Sequence, residues 1–140
     1  MIKYYKLPKH IMNLLPKAEA YLKGNPKVIF AYLFGGLAKG KLGPLSDVDI
    51  AIFLSLDADY LKEKIEIQGK LIDILKTDEL DLVVLNKAPL PLSARIIRNK
   101  KIITDKDMFL RHKFESLILR KYFDFSIKER SIFKRRYSIG

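Results

Sequence analysis

The sequence predicts an α/β (α+β) protein in which helices flank a small mixed central sheet. Apolar runs rich in β-branched and aromatic residues alternate with segments whose apolar residues recur at helical spacing. The chain has 140 residues, about the size of one domain, and no linker-like stretch divides it. We therefore expect a single domain over residues 1–140, with a long helix at its C-terminal end.

Four segments are predicted to be strands. Val28–Phe34 is a continuous apolar run that fits a strand buried on both faces, and Gly35-Gly36 ends it. Residues 47–54 alternate so that Val48, Ile50 and Ile52 face one way. Residues 80–85 form a third apolar run, and residues 101–104 fit a short edge strand.

Helical spacing predicts helices over residues 8–23, 58–76 and 92–99, and a long helix from Asp105 onward. Pro16 is expected to break or restart the first of them. The expected apolar positions of the second are Tyr60, Leu61, Ile65, Ile67, Leu71, Ile72 and Leu75. The expected packed positions of the last are Phe109, His112, Leu117, Leu119, Tyr122 and Phe123. Because this last helix is also strongly basic, an alternative is that it binds a partner helix.

Composition excludes several classes of protein. The chain has no cysteine, so a disulfide framework, a cysteine-based zinc site and a cysteine nucleophile are all excluded. The longest uncharged stretch, residues 28–38, is too short to span a membrane, and the N-terminus lacks the apolar run of a signal peptide. We expect a soluble, cytoplasmic protein without a membrane partner.

Charge is unevenly distributed along the chain. The sequence has 27 basic and 16 acidic residues and a net charge of +11, yet residues 42–94 hold ten acids against five lysines. One interpretation is that the basic residues only keep the surface soluble. The other is an acidic, metal-holding centre surrounded by groups that bind phosphates.

Three aspartates in predicted strands are candidate metal ligands. Asp47 and Asp49 project to the same side of one strand, with Cα atoms about 6.7 Å apart. At that separation two carboxylates repel by roughly 3 kcal/mol, which a hard cation such as Mg²⁺ would offset. Asp81 stands alone in the next apolar run and can join them if the two strands are neighbours. Three such carboxylates suit a metal-assisted displacement at phosphorus.

The segment between the first two strands has features of a phosphate-binding loop. Gly35-Gly36 would expose backbone N–H groups to an anion, and Lys39 and Lys41 add positive charge. The segment is not a Walker A loop, because Leu42 stands where that motif requires Ser or Thr.

Residues 35–49, with Gly-Gly, ten residues and then Asp-x-Asp, resemble the nucleotidyltransferase signature Gly-Ser-x10-Asp-x-Asp. The compact chain is similar to the minimal nucleotidyltransferases, the MNT or MntA-like antitoxins encoded beside HEPN toxins. This resemblance implies a polymerase-β-like fold, Mg²⁺ and ATP as the donor of AMP. It implies Asp47, Asp49 and Asp81 as the catalytic, metal-binding residues. The expected nucleotide contacts are Gly35, Gly36, Lys39 and Ser46.

The resemblance suggests that AMP is transferred to a hydroxyl, such as a Tyr of a cognate HEPN toxin, which the transfer silences. Gly36 replaces the usual Ser of the signature, so an alternative is an antitoxin with a weakened site that neutralises its partner by binding alone. A nucleotidyltransferase acting on a small molecule is another alternative. The high charge raises nucleic-acid binding as a third, but no interleaved aromatic and basic pattern supports it. Both homo-oligomers and a hetero-oligomer with the toxin are compatible with the sequence.

Overall fold

A computed structural model describes residues 11–38 and 48–137, and its centre is a four-stranded mixed sheet. The strands are β1 (Val28–Phe34), β2 (Val48–Leu54), β3 (Leu80–Val84) and β4 (Lys101–Asp105). They lie in the order β3-β2-β1-β4, with β1 antiparallel to both β2 and β4, and β2 parallel to β3. The predicted mixed sheet is confirmed, and so is the edge position of the fourth strand.

Helices cover both faces of the sheet. They are α1 (Ile11–Gly24), α2 (Gly35–Ala38), α3 (Tyr60–Leu75), α4 (Leu90–Arg98) and α5 (Met108–Tyr137), and a single 3₁₀ turn spans Leu85–Lys87. The predicted break at Pro16 is wrong, because α1 continues through this exposed residue. Pro16 lies on the exposed side of α1, whereas Ile11, Ala18 and Leu22 are buried, and this packing holds the helix together despite the missing N–H.

Alternation along β2 divides the core in two. Val48, Ile50 and Ile52 face the layer formed by α1 and α3, as predicted, and pack with Leu71 and neighbouring residues. The residues between them in β2 face α4 and α5. The second core consists of Phe30, Tyr32, Phe34, Ala51, Phe53, Leu85, Ile96 and Ile97.

Helix α3 buries a narrower stripe than the sequence predicts. Ile67, Leu71 and Leu75 are fully buried. Leu61 and Ile65 are exposed, so the prediction that they lie on the packed face of the helix is wrong. Because a helix advances about 100° per residue, Ile65 lies about 160° around the axis from Ile67 and cannot reach the same core.

Helix α5 packs through a different face from the one predicted. Leu110, Phe114 and Ile118 contact the second core, and Arg111 and Glu115 are buried among them. Five of the six predicted packed positions are exposed, and Tyr122 alone is half-buried: the exposed ones are Phe109, His112, Leu117, Leu119 and Phe123. Charged side chains on the buried face explain the error, since hydrophobic spacing assigns them to solvent.

A buried ionic network makes that face possible. Arg111 Nη1 donates to Glu115 Oε1 at 3.0 Å, and Arg111 Nε donates to Asp105 Oδ2 at 2.7 Å. Lys100 Nζ lies 3.1 Å from Glu115 Oε2, which also accepts a 2.6 Å hydrogen bond from the hydroxyl of Tyr32. The network joins α5 to β1 and to the end of β4. Burial, followed by the contact with the Glu115 carboxylate, raises the pKa of Tyr32 above its ordinary value of 10.0.

The Tyr32 hydroxyl should make the stability of the fold sensitive to alkali. Because its pKa is higher in the folded protein than in the unfolded chain, this group stabilises the fold below pH 10.0 and progressively less above it. Tyr32→Phe should lower the free energy of unfolding near neutral pH by about 1.5–3 kcal/mol and should flatten its decline above pH 10.0. Urea unfolding across this pH range measures both effects. Tyr122→Phe is the control, and an equal flattening in that variant would contradict the assignment.

Candidate active site

Two carboxylates lie side by side where β2 and β3 begin. Asp49 is the second residue of β2 and Asp81 the second residue of β3, and the two are register partners in the parallel pair. Register partners on neighbouring strands are about 4.8 Å apart and project to the same face. Here that face is the one covered by α4 and α5, because residues 48 and 80 face the other core. β2 and β3 are therefore neighbours, which is the condition under which Asp81 was expected to join Asp49.

Gly35 leaves space for one of these carboxylates. It follows the last residue of β1, Phe34, which pairs with Asp49 across the sheet. Its backbone φ of +72° is a value that residues other than glycine rarely adopt. A Cβ atom at this position would collide with Asp49 Oδ2 and lie only 3.0 Å from Asp49 Cγ. Glycine is therefore required here for two reasons, the backbone conformation and the approach of Asp49 to the main chain.

Asp49 and Asp81 line a pocket of about 280 Å³. Phe34 and Gly35 form one wall, and α4 supplies Arg95 and the residue after its end, Asn99. Asn99 Nδ2 donates to the carbonyl oxygen of Arg95 at 2.9 Å, which fixes the amide at the C-terminal end of α4. The pocket thus combines carboxylates, which suit a cation, with a guanidinium, which suits a phosphate.

Arg95 and Asn99 were not among the predicted site residues. The sequence does contain a signal, a basic run that also includes Arg98 and Lys100. The fold separates these residues, because Arg98 stacks over the ring of Tyr122 at 5.4 Å and Lys100 pairs with Glu115. Only the packing of α4 on the sheet shows that Arg95 shares the pocket with the aspartates.

The structure brings together Gly35, Asp49 and Asp81 of the predicted site. Gly36 lies in α2, half-buried, and is not among the residues that line the pocket. Within residues 11–38 and 48–137, no three acidic or histidine side chains are grouped to hold a metal ion. The predicted residues that lie outside the described ranges are Lys39, Ser46 and Asp47.

The fold and the pocket together define a class of protein. A mixed sheet presents paired carboxylates on neighbouring strands, beside a glycine that ends the central strand. The chain belongs to the polymerase β nucleotidyltransferase family, whose model matches residues 16–109. The match includes all four strands and every residue that lines the pocket.

Solved structures share the fold over nearly their whole length. A chain from a toxin–antitoxin complex with AMP-PNP has 22% identity and a TM-score of 0.71, covering 88% of this chain and 98% of that one. A chain from the Shewanella oneidensis complex of a tri-AMPylated HEPN toxin with its MNT antitoxin has 21% identity and a TM-score of 0.66, covering 90% and 98%. A chain of the MntA–HepT toxin–antitoxin has 23% identity and a TM-score of 0.66, covering 90% and 99%.

No curated protein matches the sequence. In the part of the chain that the structure describes, no helix is both long and apolar enough to cross a membrane.

Gly35→Ala should disturb the pocket and the fold together. The new Cβ would displace the Asp49 carboxylate, and the left-handed backbone would add about 1–2 kcal/mol of strain. We expect the free energy of unfolding to fall by at least that amount in urea titrations. Gly69→Ala is the matched control: nothing lies within 4 Å of its added Cβ in α3, so it should stabilise the protein by about 0.5–1 kcal/mol. Equal effects of the two substitutions would contradict the account of Gly35.

Proposed function

We propose that this protein is a Mg²⁺-dependent nucleotidyltransferase that moves AMP from ATP to a hydroxyl, acting as the antitoxin of a HEPN toxin. The acceptor in this proposal is a tyrosine of that toxin. Family membership supports nucleotidyl transfer. The similar structures include one complex with AMP-PNP and another with a tri-AMPylated HEPN toxin, which supports ATP as donor and the toxin as acceptor.

The observation that carries the proposal is the pairing of Asp49 with Asp81 beside Gly35. The Cα atoms of register partners are about 5 Å apart, and two carboxylates at such a separation would repel by roughly 3 kcal/mol at an effective dielectric constant near 20. Hard oxygen ligands at this spacing suit Mg²⁺, so we assign both residues to the metal, with Asp47 as the third ligand. When bound, Mg²⁺ would neutralise charge on the triphosphate and on the leaving group.

Other groups of the pocket suit the triphosphate. Arg95 can donate two parallel hydrogen bonds to phosphate oxygens, and the Asn99 amide lies next to it. The backbone at Gly35 lines the pocket without a side chain in the way, and we assign a further nucleotide contact to Gly36, as the family signature implies. We assign the remaining nucleotide contacts to Lys39 and Ser46, as the family signature implies.

The proposed reaction is an in-line displacement. The acceptor hydroxyl oxygen forms a bond to the α-phosphorus, the bond from that phosphorus to the α,β-bridging oxygen breaks, and pyrophosphate leaves. Asp81 is the exposed member of the carboxylate pair, whereas Asp49 is half-buried under Gly35. We therefore assign to Asp81 the uptake of the proton from the acceptor hydroxyl.

Removing either carboxylate should slow transfer strongly. With α-labelled ATP, Mg²⁺ and the HEPN toxin that the proposal names as partner, Asp49→Asn and Asp81→Asn should each slow labelling by about 100-fold or more. Chelation of divalent cations should have a similar effect. Asp73→Asn, which neutralises an exposed acid of α3, should label the toxin at the normal rate. Undiminished labelling by Asp49→Asn would exclude the proposed mechanism, and partner binding without any ATP binding would favour neutralisation by binding alone.

Arg95 should contribute mainly to the binding of phosphate groups. A hydrogen bond to a charged group is worth about 1.5–3 kcal/mol, so Arg95→Met should raise the Kd for ATP by roughly 10- to 150-fold. Calorimetry should show a smaller change for adenosine, which has no phosphate. Arg98→Met removes the same charge three residues further along α4, outside the pocket, and should leave the Kd for ATP unchanged. Equal losses for ATP and adenosine would contradict a phosphate contact.

A further inference from the structure

Helix α5 carries a second apolar stripe, which we define as Leu119, Phe123 and Ile127. These residues recur every four positions and so lie in one row along the helix. Their exposed fractions are 38%, 64% and 49%. A continuous row of large apolar side chains in water is the feature that marks interaction sites on protein surfaces.

This stripe lies on the opposite side of α5 from the body of the protein. A helix advances about 100° per residue, so the packed Phe114 lies about 180° around the axis from Phe123. Ile118, which also packs on the core, lies about 140° away. The stripe therefore cannot be the outer edge of the intramolecular core, and rotating the helix to bury it would expose the packed face.

The charges that flank the stripe are all positive. Arg120, Arg130 and Lys134 lie within about 60° of its centre line. The nearest exposed acids, Asp124 and Glu129, lie about 100° or more away, and Glu115, four residues before Leu119, is buried in its ionic network. A partner that covers the stripe should therefore present apolar side chains edged by carboxylates.

The same charges disfavour a second copy of the chain. Two antiparallel copies of α5 packed through this stripe would bring their own arginines and lysines together, in a protein of net charge +11. Nucleic acid is also a poor fit, because a row of Leu, Phe and Ile offers nothing to a phosphate backbone.

We propose that the stripe on α5 is the docking surface for the HEPN toxin, through an apolar patch of the toxin edged by Asp or Glu. The naming of the toxin as the partner rests on the proposed function, whereas the chemistry of the surface rests on α5 alone. No residue of the stripe lines the candidate active-site pocket. Docking and nucleotidyl transfer are therefore separable by mutation.

The test measures binding of the 140-residue chain to the HEPN toxin of the proposed function, by calorimetry in the absence of ATP. Phe123→Glu should weaken the Kd by at least 10-fold, because it places a carboxylate in the apolar contact and opposite the acidic rim. Arg130→Glu should weaken it less, and added salt should reduce this second difference. Ile65→Glu is the matched control: it changes an apolar residue of α3 that is 63% exposed to the same acid, and should leave the Kd unchanged.

Two further measurements separate this proposal from the proposed function. Thermal unfolding and the Kd for ATP should be unchanged in Phe123→Glu, because the stripe contributes to neither core nor pocket. Unchanged toxin binding by Phe123→Glu would overturn the docking surface even if labelling of the toxin succeeds. Binding that depends on Phe123 without any labelling would support the surface and reject the transfer. A wild-type homodimer that Phe123→Glu converts to a monomer would also overturn the proposal, because the stripe would then belong to a second copy.

Discussion

The parallel pairing of β2 with β3 is the constraint on which the site depends. It aligns Asp49 with Asp81, and the fully buried residues that follow Asp49 in β2 leave this strand no freedom to slip by one residue. A slip would exchange the residues of β2 between the two cores and turn the Asp49 carboxylate toward the apolar layer of α1 and α3, where a charge is costly. Hydrophobic burial thus holds two like charges together, and the space beside Gly35 receives one of them.

The second core holds α4 and α5 on the sheet. Phe30 and Phe53 stack with ring centroids 4.7 Å apart, and Phe114 meets Phe53 at 5.0 Å. These aromatic contacts hold α5 on the sheet, and the network around Glu115 gives its buried charges partners. The stacking of Arg98 on Tyr122 is a further contact between α4 and α5 at the surface.

Much of this fold is predictable from the sequence. The strand Val28–Phe34 has the predicted bounds because an uninterrupted apolar run between Lys27 and Gly35 admits few alternatives. Asp81 was recognisable because a lone acid in an apolar run needs a partner. The face of α5 was not predictable, because its buried side includes Arg111 and Glu115, whose partners come from distant segments. Arg95 was missed for a similar reason, since only the docking of α4 selects it from a basic run.

The outward stripe on α5 also bears on how such a chain can diverge. Leu119, Phe123 and Ile127 lie away from the packed face of the helix, so folding places little selection on their identity. Exchanges among apolar residues there alter the shape of the surface at almost no thermodynamic cost, whereas exchanges around Asp49 disturb the sheet. Related chains can therefore differ in the outward face of this helix while the strands that carry Asp49 and Asp81 stay the same.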